Sequence, residues 1–202
     1  MKILLYASLL TGLLAFNSGN APTDPIAVGT KLPKADVSMT DISGKTVTLQ
    51  SAMKENGLLV MFSSNTCPVV INNESRTVGI SKFALENKIG VVLINSNEGT
   101  RGKGESLDDM RTYASKLGYS WYYSLDKNHE LADAFGATRT PECFLFNKQG
   151  VLVYTGAIDD NPNDEEKVQR IHLQEAIKEL TNGKEVSVTK SRSIGCTIKR
   201  LN

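Results

Sequence analysis

One cysteine stands where a strand gives way to a helix, in Met61-Phe62-Ser63-Ser64-Asn65-Thr66-Cys67-Pro68. The apolar run Leu58-Leu59-Val60-Met61-Phe62 reads as a buried strand, and Pro68 is tolerated in the first turn of a helix. The pattern delivers a sulfur to a helix start, where unpaired backbone N–H groups and partial positive charge stabilise a thiolate. The thiolate is the nucleophile, so Cys67 is the residue expected to do chemistry at neutral pH. Three positions earlier stands Ser64, and the turn reads Ser-x-x-Cys. A hydroxyl is a poor nucleophile and forms no disulfide, so dithiol exchange within this turn is disfavoured.

Two further cysteines are far away in sequence. Cys143 lies among Phe144, Leu145 and Phe146 and reads as a small, inert core residue. Cys196, in Ser193-Ile194-Gly195-Cys196 beyond the last expected helix, is either a second thiol brought back to Cys67 or a structural cysteine that holds the tail. The three have no zinc-like spacing, and His129 and His172 carry no motif, so no metal and no other cofactor is expected. Asp159-Asp160 reads as a strand-end turn cap rather than a metal pair. Gly99-Thr100-Arg101-Gly102-Lys103-Gly104 lacks the Lys-Ser/Thr of a phosphate loop and reads as a mobile surface loop. Arg76 is expected to pair with Glu74 or another surface acid.

The 202 residues suit one domain, and 40% apolar content builds a core without disulfides. A net charge of +1, with both signs interspersed, gives no nucleic-acid footprint. Lys2, the mainly apolar stretch from Ile3 to Phe16 and the small polar run Asn17 to Ala21 read as a secretory signal over residues 1–21. The stretch is short for a membrane span, so cleavage and export to a periplasmic or extracellular space are expected, with no stable membrane insertion afterwards. A domain over 22–183 and a tail over 184–202 carrying Cys196 complete the organisation. In an oxidising compartment an odd number of cysteines leaves at least one free or transiently paired.

The elements alternate. Asp36–Met39 and Thr46–Leu49 flank a Ser43-Gly44-Lys45 turn as a hairpin. Buried strands follow at 58–62 and 91–94, separated by a helix from Pro68 to about Leu85. Ser106 opens a helix that ends at Gly118, with Asp108 and Asp109 in its first turn. A short strand at 121–123, a helix over 128–135, a hairpin of 143–146 with 151–154, and a helix from Asp164 with Val168, Ile171 and Ile177 inward complete the order. This is an α/β domain with a mixed sheet, helices on both faces and an N-terminal β-hairpin.

Residues along the chain then add a resemblance. Asn65-Thr66-Cys67-Pro68, Glu74 with Arg76, Ile94-Asn95-Ser96-Asn97, Gly136-Ala137-Thr138-Arg139-Thr140-Pro141, Gly156-Ala157-Ile158-Asp159-Asp160-Asn161 and Ile194-Gly195-Cys196-Thr197-Ile198-Lys199 occur in order. Each is weak alone; together they resemble the redoxin branch of the thioredoxin superfamily. That branch holds the peroxiredoxin-like alkyl hydroperoxide reductase/thiol-specific antioxidant proteins, and a secreted group common in Bacteroidetes is especially similar.

The resemblance implies a thioredoxin-like fold and a thiol-based oxidoreductase, with peroxidase or antioxidant activity through Cys67 first. A thiol-disulfide oxidoreductase and a non-catalytic binding module are the alternatives. It implies a cis-proline at Thr140-Pro141 facing the cysteine. It makes Ser64, Thr66, Cys67 and Arg139 the candidate catalytic set: the Ser64 hydroxyl to hydrogen-bond the thiolate or a peroxide, and Arg139 as the nearby cation or, equally, a solvated loop residue. Cys196 becomes the candidate resolving thiol. The implied partners are a peroxide or a protein disulfide as substrate and an external, thioredoxin-like thiol reductant. The group commonly has cysteine at the position of Ser64, and Val60 stands where the peroxidatic pattern has proline; both departures bear on the type of chemistry.

Overall fold

The computed structural model describes residues 24–201, so the expected signal segment 1–21 lies outside the described residues. Strand β1 (Met39–Asp41) turns back on β2 (Thr46–Val47), and Thr48 caps the short α1 (Leu49–Ala52) through a capping box with Ser51. Strand β3 (Gly57–Phe62) leads to α2 (Pro68–Asn72) and α3 (Glu74–Glu86). Strand β4 (Ile89–Asn95) is followed by α4 (Leu107–Leu117), which opens on a Ser106–Asp109 capping box and stops at left-handed Gly118. Then come β5 (Tyr122–Leu125) and α5 (Glu130–Phe135), the latter capped by Asp126 accepting from the Leu131 and Ala132 N–H groups. The two-residue β6 (Arg139–Thr140), the hairpin β7 (Glu142–Asn147) with β8 (Leu152–Gly156), α6 (His172–Thr181) and β9 (Cys196–Thr197) finish the chain.

Apart from a two-stranded ribbon of β6 with β9, strand order is β2-β1-β5-β4 in one sheet and β3-β7-β8 in the other, with β4 parallel to β5 and the remaining pairs antiparallel. The two adjoin along β3 and β4, where the Ser63 N–H donates to Ile94 O at 2.8 Å. Period-two alternation decides what each face touches. Leu59 and Met61 of β3, Val91 and Leu93 of β4, and Cys143 and Leu145 of β7 pack with α3, α4 and α6. Leu58, Val60, Phe62, Val92, Ile94, Phe144 and Phe146 pack on the other side with α1 and α5. Phe62, Phe135 and Phe144 meet edge-on there, with centroids 5.1–5.7 Å apart. A strand buried on both faces carries no polar alternation, which is why its sequence reads as a continuous apolar run.

Several expectations are corrected. The first hairpin strand begins at Met39 because Lys34 to Val37 forms a turn, with the Val37 N–H on Lys34 O. The helix after Cys67 breaks at Asn73, whose side-chain amide donates to Val69 O (2.7 Å) and to Pro162 O (2.9 Å). Asp164 caps only a single 3-10 turn (Glu165–Lys167), and the last helix starts at His172. Contacts with Asp160 hold the intervening residues extended: the Gln169 N–H donates to its carboxylate and the Asp160 N–H to Arg170 O. Ile171 is therefore 40% exposed, while Ile177 is buried as expected. Arg76 pairs with Asp159 at 2.8 Å, both side chains buried, and not with Glu74.

Candidate functional site

Cys67 is the N-cap residue of α2, with extended backbone, and it is 3% exposed. Helix α2 is only five residues long, so its dipole is small and discrete contacts govern the sulfur. The thiol donates to Thr140 O at 3.3 Å. Burial pushes its pKa up, but hydrogen bonds from the Cys196 side chain, the Val70 N–H and the Cys196 N–H push harder the other way, and the net position is below the ordinary 9.0. The Thr140 side chain adds to the lowering, and its hydroxyl is buried without a hydrogen-bond partner. None of the groups that lower it is a cation.

Cys196 lies directly across this site. Strand β9 pairs antiparallel with β6, setting Cys196 opposite Thr140 and Thr197 opposite Arg139. The backbone approach is close: a Cβ on Gly195 would sit 2.0 Å from Thr140 O. The Cys196 thiol is near enough to Cys67 for the two sulfurs to shift each other's acidity. Burial first, then hydrogen bonding with Cys67 and the charge on Cys67, push it up to about 11. Cys67 thus gives up its proton more readily than an ordinary thiol, and Cys196 holds its proton more tightly; both are free thiols. Alkylation of Cys67 should follow its thiolate fraction, rising with pH through a midpoint below 9.0, whereas Cys196 lags until nearer 11. Site-resolved iodoacetamide labelling against pH checks this; coincident midpoints would contradict it.

The turn before Cys67 is built on a residue the sequence reading passed over. Glu105 is fully buried, and its carboxylate accepts from the Ser64 hydroxyl, the Asn65 N–H (3.0 Å), the Thr66 N–H (3.2 Å), the Thr66 hydroxyl (2.7 Å) and the Asn95 amide (2.6 Å). Arg101 stands beside it, donating to Asn95 Oδ1 and to Glu105 O, both at 2.9 Å. Tyr123 donates to Asn65 Oδ1 at 2.9 Å. The segment 99–104, expected to be a mobile surface loop, is thus the approach to the central carboxylate of the site.

Ser64 and Thr66 are placed differently from their expected roles. The Ser64 hydroxyl gives its proton to Glu105 and accepts from the Cys67 N–H (3.1 Å) and the Thr66 N–H (3.2 Å), so no proton remains for the Cys67 sulfur or a peroxide. Thr66 likewise faces Glu105. Both act on backbone. Ser64→Ala strands the buried Cys67 N–H and should cost about 1–2 kcal/mol of stability, read from the urea midpoint, while Cys67 keeps its reactivity within a few-fold.

Arg139 is exposed, and the carboxylate it faces is Glu142, which also accepts from the Thr138 and Arg139 N–H groups. β6 pairing turns the side chain outward while Thr140 turns in. The Thr140–Pro141 bond is cis. Cys143 is fully buried opposite Met61, and burial raises its thiol far above the usual range. Glu105, Asn95 and Arg101 left only a faint trace in the sequence: Asn95-Ser96-Asn97 is an abrupt polar run closing an apolar strand, and strand ends are where sites form.

A family model described as Redoxin matches residues 27–171. An uncharacterized conserved protein from Geobacillus kaustophilus is 29% identical, with TM-score 0.80, over 87% of this chain and 93% of that one. A hypothetical protein from Sinorhizobium meliloti 1021 is 31% identical, with TM-score 0.78, over 90% and 99%. A PrxQ mutant from Xylella fastidiosa, 13% identical with TM-score 0.58 over 79% and 98%, shares the thioredoxin-like fold. No similar curated protein was found.

Proposed function

The chain belongs to the redoxin family, and we propose that within it the protein is a thiol peroxidase in which Cys67 attacks and Cys196 resolves. The observation that carries this reading is the placement of the two thiols: Cys196 of β9 stands opposite Thr140, whose carbonyl accepts from the Cys67 thiol at 3.3 Å, and the acidities divide, Cys67 lowered and Cys196 raised. The Cys67 thiolate attacks one oxygen of a hydroperoxide, and the O–O bond breaks. The departing oxygen leaves as alcohol or water after taking a proton, and the sulfur becomes a sulfenic acid. The Thr140 hydroxyl, buried without a partner, is the donor this reading assigns to the developing charge. Cys196 then attacks the sulfenic sulfur. An S–S bond forms, and the hydroxide released combines with the Cys196 proton as water. An external dithiol returns both cysteines to thiols and becomes a disulfide itself. In this reading Ser64 and Thr66 position the turn, Arg139 stays outside the chemistry, and the segment 1–21 takes the protein out of the cytoplasm, where a partner supplies the reductant.

A second reading, thiol-disulfide oxidoreductase, draws on β9 itself: an extended backbone already presents a sulfur to Cys67 along β6. Insulin reduction with dithiothreitol, lost in Cys67→Ala, would mark it. The peroxidase reading is tested in Cys196→Ser. One equivalent of peroxide should leave a sulfenic acid on Cys67 that persists and is trapped by dimedone. An intact Cys67 thiol after that treatment would overturn the reading.

A further inference from the structure

Beyond Ser191 the chain crosses the sulfur of Cys67 as a strap held at both ends. Upstream, the Ser191 N–H donates to Thr155 O at 3.0 Å, and its hydroxyl accepts from the Ala157 N–H at 2.9 Å. Downstream, Ile198 is buried in the core on the α1/α5 side and its N–H donates to Thr138 O at 3.0 Å. Lys199 donates its N–H to Asn97 Oδ1 (3.0 Å) and accepts from the Gly99 N–H (2.8 Å). The Arg200 guanidinium pairs with Asp133 and donates to Ala137 O, both at 2.8 Å. Between these holds, residues 192–197 rest on the two-residue pairing of β9 with β6, and Ile194 is 39% exposed.

We propose that this strap is a size filter on Cys67: it admits hydroperoxide-sized reagents and keeps polypeptide disulfides off the sulfur until the Ile198 and Arg200 holds release. The inference rests on the reading of Cys67 as the reactive thiol. A polypeptide that docked by strand addition would compete for the edge of β6 that β9 already fills, and the flush seat of Gly195 on Thr140 leaves no room for a second chain. A peroxide is close to water in size and needs only a small fluctuation. Short segments between firm holds open locally at less than the cost of global unfolding, so the holds set how often the sulfur is uncovered. Opening wide enough for a polypeptide must break the downstream hold; a peroxide-sized opening need not.

The test pairs two reagents of one chemistry and different size: N-ethylmaleimide and the same maleimide carried on a long polymer. Loss of unmodified Cys67 in the reduced protein is followed by peptide mass spectrometry. The polymer reagent should react at least about tenfold more slowly than the small one. Arg200→Ala, a change near the surface that spares the core, and Ile198→Ala should each speed the polymer reagent about tenfold or more while moving the small one less than about twofold. Equal rates for the two reagents in the starting protein would overturn the filter. So would a gap unchanged in both variants, or equal acceleration of both reagents. Slow reaction with both reagents in all three proteins would overturn the reactive-thiol reading itself, and the filter with it.

Discussion

Glu105→Ala should lower stability by about 3–5 kcal/mol and slow the reaction of Cys67 with it. Removing the carboxylate leaves the Ser64 and Thr66 hydroxyls, the Asn65 and Thr66 N–H groups and the Asn95 amide without their acceptor in a buried setting. Each stranded buried donor costs about 1–3 kcal/mol, and water entering the space returns part of the sum. Arg101 would also lose the negative charge beside it. The measurement is the urea midpoint at unchanged slope, compared with Glu86→Ala on the exposed face of α3, which should fall within about 0.5 kcal/mol of the starting protein. Equal midpoints for the two variants would show that the turn does not depend on Glu105.

Cys67→Ser should abolish peroxide-dependent turnover, a loss on the order of 10³-fold or more, the scale on which single catalytic groups act. A serine in that place keeps a donor for Thr140 O but neither ionises near neutral pH nor forms a sulfenic acid or a disulfide. Stability should change by only about 1 kcal/mol, because the replacement is close in volume and its hydroxyl has an acceptor ready. Turnover assayed with an added dithiol reductant checks this. Activity surviving in Cys67→Ser would move the chemistry to Cys196 and contradict the division of labour between the two sulfurs.

The layered core was legible because local pattern and tertiary role agree. The runs 58–62, 91–94 and 143–146 are buried on both faces, and their apolar continuity says so directly. Ser106 with Asp109, and Gly118 as a left-handed stop, act through neighbours within a few residues, so the bounds of α4 were readable too. The misreadings share the opposite property. Asn73 ends a helix partly because Pro162 offers a carbonyl, and Asp160 rather than Asp164 decides where α6 begins. Both depend on contacts formed only in the folded chain.

The site divides in the same way. Cys67 announces itself by standing at a strand-to-helix junction, and Thr140-Pro141 by its place before the hairpin. Cys196 was visible as a thiol with two readings, and the β6–β9 register brings it to Cys67. Ser64 was conspicuous for the wrong reason: its significance lies in the acceptor and donor roles it fills between Glu105 and the Cys67 N–H. Glu105 itself looked like one more acid before a helix cap, because nothing local reveals that a carboxylate some forty residues away will anchor the turn.

The most direct measurement adds one equivalent of hydrogen peroxide to the reduced protein, digests it without reductant and maps the cross-linked peptides. A disulfide joining Cys67 to Cys196 is expected, with Cys143 left as a free thiol. Thiols intact at both positions, or a cross-link that includes Cys143, would contradict it.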